Sequence, residues 1–313
     1  MTGSRRSIEG TLDPDTELAG LRRIAARVGA AESATVPPIR RTITGGDVPL
    51  NLVDWGAPRP DARTVLFVHG AQLTARTWDG VCVLLRDTYR CVALDLRGHG
   101  DSGWSGERRY GLEDHLGDLT RVTLSLGARE LALVGMSMGG FVATAWAETL
   151  PPTLTGLGLV DIGPHAPGFV RRPGSRSASL AERTASARTF EDFVAHAHAW
   201  SPKRDVENLR NSLRHALRLQ PDGSHVWKWD PAQFTGGPPF LRDEVWARAG
   251  TIACRTLLVR GARSDVLSVE GAAQLVASLR SGTLVTIEGA GHTVQSDKPR
   301  ELAAALREFL GSR

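Results

Sequence analysis

The sequence predicts an α/β fold in which a parallel sheet is covered by helices on both faces. From about residue 40, short apolar runs each end in a glycine or polar turn, and segments of helix length lie between most of them. This alternation is typical of buried parallel strands joined by helices. The runs are TVLFVHG, CVALDL, LALVGMS, GLGLVDIG, RTLLVRG and TLVTIEG, and the helical segments are 75–86, 112–126, 138–149 and 269–280. Unusual polar residues follow the strands, at the sheet edge where ligands of such folds bind.

Residues 1–40 are predicted to be an N-terminal extension with one amphipathic helix. Apolar residues recur at helical spacing after Asp13-Pro14, a pair that suits a helix start. We expect this helix to pack on its own domain, with packing on a partner subunit as the alternative. The apolar positions are Leu18, Leu21, Ile24 and Val28.

The alternation of strands and helices stops between residues 163 and 248. This stretch opens with the Pro, Gly, Ser and Arg-rich piece HAPGFVRRPGSRSAS and continues into helical patterns that contain several tryptophans. We predict a helical cap, or lid, over residues 163–248, inserted into a core domain made of residues 41–162 and 249–313. The arginines between 171 and 188 are interpreted as a solvated face rather than an anion site. The tryptophans are Trp200, Trp227, Trp229 and Trp246.

Composition and charge exclude several classes of protein. The 38 basic and 34 acidic residues are mixed along the chain, so the net charge of +4 does not predict a nucleic-acid partner. Three cysteines without CxxC spacing indicate neither a disulfide framework nor a zinc site. No signal peptide is visible, and no stretch approaches the ~20 apolar residues of a membrane span. We therefore expect a cytoplasmic protein without a membrane partner, and the scarcity of lysine favours a GC-rich bacterial source.

Ser137 is the predicted nucleophile. It lies in LALVGMSMGG, where an apolar strand runs into Gly-Met-Ser-Met-Gly-Gly and then into a helical segment. A serine at such a sharp turn needs strained backbone angles, and the glycines at 135 and 139 relieve the crowding that larger side chains would cause. The turn also places the Met138 N–H at a helix start, where it can donate to a developing oxyanion.

A second oxyanion donor is expected from the loop after an earlier strand. The segment TVLFVHGAQLTARTW supplies such a loop, and we assign the backbone N–H of Ala71 as the partner of Met138. His69 is interpreted as a structural residue that is hydrogen-bonded beneath this loop. The polar cluster of Asp95, Arg97 and His99 is likewise interpreted as structural, because charge-assisted hydrogen bonds could hold the neighbouring loops.

His292 is the predicted general base, since a serine hydroxyl needs a histidine to accept its proton. It follows the last apparent strand on a loop with glycines at 289 and 291. A carboxylate must hold that histidine in the correct tautomer. We favour Asp265, five residues beyond a predicted strand end, and keep Asp161 in GLGLVDIGP as the alternative acid, with support of the cap hinge as its other possible role.

These ordered motifs resemble the α/β-hydrolase superfamily, in its serine hydrolase branch with a helical cap. The resemblance covers residues from about 40 to 313, is weakest across the cap, and rests on HGAQLTARTW, DLRGHGDS, GMSMGG, VDIGP, GARSD and GAGHTVQSDKP. It implies a mostly parallel sheet of eight strands, a cap after the sixth strand, a two-step acyl-enzyme mechanism and no cofactor. The function that we expect is hydrolysis of a carboxylic ester of a small to medium, largely apolar substrate.

Residue types argue against some branches of this fold and leave others open. Haloalkane dehalogenases and epoxide hydrolases use an aspartate nucleophile, whereas position 137 is serine; the cap tyrosines of epoxide hydrolases are also missing, because Tyr89 and Tyr110 precede the cap. Carbon–carbon hydrolases share the SMGG elbow but commonly carry tryptophan after the base histidine, where this chain has Thr293. Lactonases and perhydrolases share the same triad and remain alternatives.

A metal enzyme and a non-catalytic receptor both fit the sequence less well than a serine hydrolase. A metal site is not expected, because His196 and His198 are two residues apart and do not share a helix face, and no Glu or Cys ligands accompany them at metal spacing. A non-catalytic ligand receptor on the same fold is the better contrast, since such proteins can keep a complete triad. The expected partner is a small-molecule substrate, and the oligomeric state is left open.

Overall fold

A computed structural model of the chain describes residues 14–34, 36–149, 151–163, 187–200, 202, 206–234, 246 and 249–311. Within these residues, eight strands form one sheet in the order β1-β2-β4-β3-β5-β6-β9-β10. Neighbouring strands are parallel from β4 to β10, and β2 is antiparallel to both β1 and β4. The strands of this sheet are β1 Ile39–Ile43, β2 Leu50–Asp54, β3 Thr64–Val68, β4 Arg90–Leu94, β5 Leu131–Met136, β6 Leu154–Val160, β9 Thr256–Gly261 and β10 Gly282–Ile287.

The helices connect the strands and cover both faces of the sheet. Those of the core are α2 Asp79–Leu85, α3 Leu112–Leu126, α4 Met138–Ala147, α7 Val269–Ser278, α8 Val294–Asp297 and α9 Pro299–Gly311; α1 is Pro14–Arg27, and α5 Phe190–Trp200 and α6 Val206–Ala216 lie between β6 and β9. None of the helices in the described ranges is long and apolar enough to cross a bilayer.

The side chains of β3 show how the two cores form. Leu66 and Val68 belong to one buried cluster together with side chains of α3, α4 and α7. Val65 and Phe67 point the other way, into a second cluster with side chains of α2, α8 and α9. Successive strand residues face opposite sides of a sheet, so a fully apolar run such as TVLFV is buried on both faces. The predicted α/β fold with an eight-stranded, mostly parallel sheet is confirmed.

The stretch between β6 and β9 is an insertion between neighbouring strands of the sheet. Besides α5 and α6 it contains a two-stranded hairpin, β7 Leu217–Leu219 and β8 His225–Trp227, which the sequence analysis did not predict. Residues 164–186, which include most of the arginine-rich segment, lie outside the described residues, as does the Trp200 side chain. The cap boundaries of 163–248 stay a prediction.

The N-terminal helix α1 packs on the core of its own chain, as expected. Leu21, Ala25 and Val28 form a buried cluster with Val83 of α2. Its Glu17 side chain forms an ion pair with Arg76, which also donates from Nε to Asp79 Oδ2 at 3.0 Å. Both Arg76 and Asp79 are buried, so α1 covers charged as well as apolar side chains of the core.

Asp79 gives the stability of the chain a specific pH dependence. Burial raises the pKa of Asp79 from 3.8 to about 6, although the neighbouring Arg76 opposes the shift. The folded chain thus binds this proton more tightly than the unfolded chain, so the contribution to stability is full below pH 3.8 and is lost as the pH rises through about 6.

Asp79→Asn should therefore gain stability relative to the wild type as the pH increases from 4 to 7, by on the order of 2 kcal/mol. Urea unfolding at a series of pH values measures this difference. Asp87→Asn, at an exposed carboxylate, is the matched control and should show no comparable trend. A difference between Asp79→Asn and wild type that stays constant over this range would contradict the interpretation.

Candidate active site

Ser137 lies at the turn between β5 and α4 and is only 4% exposed. Its backbone has φ 50° and ψ −119°, a conformation that costs a non-glycine residue on the order of 1–3 kcal/mol. Neighbouring hydrogen bonds hold it there: the Ser137 N–H donates to Val160 O at 3.2 Å, and Ser137 O accepts from the N–H groups of Gly140 and Phe141. The predicted strand–serine–helix turn is present, and its backbone is strained as expected.

The glycines on either side of the serine allow the turn to close. A Cβ at Gly135 would lie 2.4 Å from Gly139 O, and a Cβ at Gly139 would lie 2.4 Å from His69 O. Real Cβ atoms do not approach carbonyl oxygens this closely, so any larger residue would force the backbone apart. The packing role predicted for both glycines is confirmed.

The loop of residues 69–74, here called the oxyanion loop, lies against the nucleophile turn. A Cβ added to Gly70 would come within 3.1 Å of Ser137 Cβ, which places this loop directly beside the serine. Ala71 follows Gly70 and is half-buried. Met138 is the first residue of α4, so its N–H has no acceptor within the helix. Met138 directly follows Ser137, and the residue before Ala71 is packed against it; the oxyanion role of both N–H groups stays a prediction.

Two buried histidines support the oxyanion loop. His69 Nε2 accepts the Leu96 N–H at 3.0 Å, so its proton is on Nδ1, which donates to Gly70 O at 2.7 Å. His99 Nε2 accepts the Gln72 N–H at 3.1 Å, and its Nδ1 is 3.2 Å from Arg97 O. Burial lowers the pKa of both histidines, against the attraction of Asp95 in the case of His69. Both rings are therefore neutral, and their predicted structural role is confirmed.

The carboxylate of Asp95 and the guanidinium of Arg97 also act as structural groups. Asp95 accepts the Ala75 N–H at 2.6 Å, the Asn51 Nδ2 at 2.8 Å and the Asp101 N–H at 3.0 Å. Arg97 donates from Nε and Nη2 to Asp118 at 2.6 and 2.8 Å, and it also contacts Asp47. Asp95 thus holds the chain at the end of the oxyanion loop, as the sequence analysis expected of this cluster.

His292 is hydrogen-bonded to Asp161, the residue that the sequence kept as the alternative acid. Its Nδ1 is 2.8 Å from Asp161 Oδ1. Asp161 follows β6, which pairs with the nucleophile strand β5, with Met136 opposite Val160. Ser137 and Asp161 therefore follow paired residues of adjacent strands. The preferred acid, Asp265, lies at an exposed position on the loop after β9, whereas the alternative, Asp161, occupies the position on the histidine.

Asp161 is fully buried and held from two further directions. Its Oδ2 accepts the Gly261 N–H at 2.8 Å, and its Oδ1 accepts the Ser264 hydroxyl at 2.5 Å. The Ser264 hydroxyl oxygen itself accepts the N–H of Val266 at 3.1 Å. Ser264 is a site residue that the sequence analysis missed, and no local pattern distinguishes it from the other residues of GARSD. The carboxylate is fixed with one oxygen turned to His292.

The histidine loop is anchored to the end of β9. A Cβ at Gly261 would lie 2.1 Å from Gly291 O, so only glycine allows the loop to approach this closely. The Arg263 N–H donates to Ala290 O at 2.8 Å, and Asp297 Oδ2 accepts the Gly291 N–H at 2.8 Å. These bonds hold the two residues that precede His292 and so restrict its backbone.

Aromatic side chains of the insertion approach the oxyanion loop. Phe234 lies edge-on to His99 with ring centroids 6.4 Å apart, and Trp229 packs on Phe234 at 5.6 Å. The adjacent Gln233 donates from Nε2 to Gly98 O at 2.8 Å. Within the described ranges, no group of three or more His, Cys, Asp or Glu side chains is placed to hold a metal ion; the His196 ring is bonded through Nδ1 to Asp192 O instead.

The sheet order, the strained serine turn and the hydrogen bond between buried Asp161 and half-buried His292 define an α/β-fold hydrolase. Comparison with known proteins agrees with this class. The model of the alpha/beta hydrolase family matches residues 65–305. The chain belongs to this family, and it is a hydrolase.

Individual relatives resemble the chain over nearly its whole length. Esterase Rv0045c of Mycobacterium tuberculosis is 33% identical over 96% of this chain and 99% of its own. A solved structure of that esterase superposes with a TM-score of 0.75 over 95% of this chain and 99% of its own, at 29% identity. The 3-hydroxybutyrate-oligomer hydrolase of Cupriavidus necator is 27% identical over 83% of this chain and 92% of its own. The E-2-(acetamidomethylene)succinate hydrolase structure has a TM-score of 0.76 at 21% identity, covering 88% of this chain and all of its own, and shares the fold.

Proposed function

We propose that this chain is a serine esterase that cleaves a carboxylic ester through an acyl-enzyme, with Ser137 as nucleophile, His292 as base and Asp161 as the orienting acid. The observation that carries the proposal is the 2.8 Å contact between His292 Nδ1 and Asp161 Oδ1. Asp161 directly follows Val160, the last residue of β6 that pairs with the strand before Ser137. The similarity to a mycobacterial esterase supports ester cleavage over other hydrolytic reactions.

In the first step the Ser137 hydroxyl attacks the ester carbonyl carbon and passes its proton to Nε2 of His292. The Asp161 carboxylate keeps the His292 proton on Nδ1, so that Nε2 is free to accept, and it stabilises the cation that forms. The protonated Nε2 then donates to the leaving alcohol oxygen, and the carbon–oxygen bond breaks. Water repeats the sequence on the acyl-serine, with His292 again taking the proton, and the acid is released.

The backbone N–H groups of Ala71 and Met138 are proposed to stabilise the oxyanion of both tetrahedral intermediates. Each such donor typically contributes about 10²–10³-fold to kcat. The loop that carries Ala71 is rigid, because neutral His69 and His99 each bond to its backbone. Donors held before the reaction begins need no reorganisation when charge develops.

The substrate is proposed to be a small to medium ester with a largely apolar portion. Phe234 of the cap lies edge-on to His99, whose Nε2 accepts the Gln72 N–H of the oxyanion loop, and Trp229 packs on Phe234. Both rings are neutral and apolar, and apolar walls with few polar groups are typical of small-molecule sites. Phe234, which is half-buried, is therefore proposed to offer an apolar wall to the substrate, with the buried Trp229 behind it.

Ser137→Ala should abolish ester hydrolysis, by at least about 10⁴-fold in kcat, because the nucleophile is removed. The variant should also lose covalent labelling by a fluorophosphonate probe, which intact-protein mass spectrometry detects. Ser264→Ala, a serine near the site that supports Asp161, is the control for labelling and should still react. Hydrolysis at the wild-type rate in Ser137→Ala would rule out the mechanism.

The two candidate acids are separated by matched substitutions. Asp161→Asn should lower kcat by about 10³–10⁴-fold, since the amide cannot hold the correct histidine tautomer. Asp265→Asn, at the exposed position, should change kcat less than about threefold. Steady-state kinetics on a p-nitrophenyl ester decide between them. The reverse pattern, with the large loss at 265, would restore the acid that the sequence favoured.

A further inference from the structure

The short 3₁₀ helix Ala75–Trp78 directly follows the oxyanion loop, and two of its consecutive residues are anchored by buried carboxylates. The Ala75 N–H donates to Asp95 Oδ1 at 2.6 Å. The next residue, Arg76, forms an ion pair with Glu17 of α1. The position of the loop that carries Ala71 thus depends on where Asp95 and Glu17 are held.

Asp101 is the residue at which the insertion meets this region. Its Oδ1 accepts from Lys228 Nζ at 2.8 Å, and Lys228 follows strand β8 of the cap hairpin. Its Oδ2 pairs with Arg40, and its backbone N–H donates to Asp95 Oδ2 at 3.0 Å. The Lys228 side chain is 4% exposed and the Asp101 side chain 12%, so this contact is almost fully removed from water.

These contacts close into a ring. From Asp101 one path leads through Asp95 to Ala75. The other leads through Arg40 to Glu17, at 3.6 Å, and from Glu17 to Arg76. Both paths end at adjacent residues of the same 3₁₀ helix. The ring, here called the Asp101 ring, consists of Glu17, Arg40, Ala75, Arg76, Asp95 and Asp101, and Lys228 joins it from the cap.

Two cations hold the carboxyl of Asp101 in its ionised form. Burial alone would raise the pKa of the Asp101 carboxyl, but Lys228 and Arg40 together hold it below its usual value. Removing one member of a buried ion pair is costly because the other charge is left without compensation. A change at Lys228 is therefore felt at Asp101 rather than absorbed by solvent.

We propose that Asp101 is a positioning residue that couples docking of the cap hairpin, through Lys228, to the geometry of the oxyanion loop. This inference rests on the proposed esterase function, since it assigns the loop the role of stabilising the oxyanion. Asp101 itself acts only through the two paths of the Asp101 ring, which end at Ala75 and Arg76. Displacement of catalytic groups by about 1 Å can cost on the order of 10²-fold in rate, so modest loosening of the ring is enough to be measured.

The coupling also gives the cap a function beyond covering the site. When Lys228 is seated on Asp101, the carboxylate at which both paths of the Asp101 ring begin is paired with two cations, and the proposed oxyanion donors are held in place. A cap that is not seated leaves Asp101 with one cation instead of two. Docking of the cap thus affects the position of the proposed oxyanion donors even without a contact between the cap and the substrate.

The test compares an ester with its thionoester, in which sulfur replaces the carbonyl oxygen and accepts hydrogen bonds poorly. Lys228→Met should lower kcat on the oxygen ester by about 10-fold, and Asp101→Asn should lower it by about 10- to 100-fold. In both variants KM should change less than about threefold. The rate on the thionoester, which depends little on the oxyanion donors, should fall much less. The double variant should lose no more than the larger single loss, because both substitutions break the same coupling.

Arg210→Met is the matched control, since it removes a cap cation whose carboxylate partner, Glu191, also lies in the cap. It should leave both rates unchanged. Equal losses on the two esters, or wild-type kcat in Lys228→Met with only a lower melting temperature, would overturn the inference. If Asp101→Asn does not fold, Lys228→Met alone decides.

Failure of the proposed function would be visible separately. Covalent labelling of wild-type Ser137 and loss of hydrolysis in Ser137→Ala establish the esterase mechanism before the variants of the ring are compared. If the wild type passes both and Lys228→Met behaves like Arg210→Met, only the coupling is wrong.

Discussion

The hydrogen bond between Asp161 Oδ1 and His292 Nδ1 is the constraint on which the rest of the site depends. It joins residues 131 positions apart, and it requires β6 and the histidine loop to end at the same edge of the sheet. Gly261 N–H and the Ser264 hydroxyl hold the carboxylate from its other sides. The sheet order places Asp161 one strand from Ser137, so this single contact connects the strained serine turn with the loop that carries the proposed base.

A second principle of the site is that loops are held by buried polar groups that bond to the backbone of separate segments. His69 and His99 are neutral because burial lowers their pKa, and each uses both ring nitrogens on backbone groups. The two carboxylate oxygens of Asp95 accept hydrogen bonds from three donors in separate segments. The Asp101 ring extends the same construction to α1 and to the cap, so elements distant in sequence meet at the oxyanion loop.

Local pattern was sufficient to predict those parts of the molecule that local physics determines. Ser137 and its glycines were visible because a strained turn needs small neighbours, and α1 was visible because its apolar residues recur at helical spacing. Local pattern does not choose the acid, because Asp161 and Asp265 both follow strands. The contact that distinguishes Asp161 joins it to His292, 131 positions away. The β7–β8 hairpin was missed because its strands have three residues each. The Asp101 ring has no sequence signal, since its members are spread from position 17 to position 101 and its contact with the cap is at position 228.

The most direct test of the central contact is the tautomer of His292, observed by ¹⁵N-edited NMR of the imidazole at neutral pH. The structure predicts a slowly exchanging proton on Nδ1 of His292, shifted downfield by its bond to a carboxylate, in the wild type and in Asp265→Asn. In Asp161→Asn that signal should be lost or move strongly upfield. A downfield Nδ1 proton that persists in Asp161→Asn and disappears in Asp265→Asn would contradict the account.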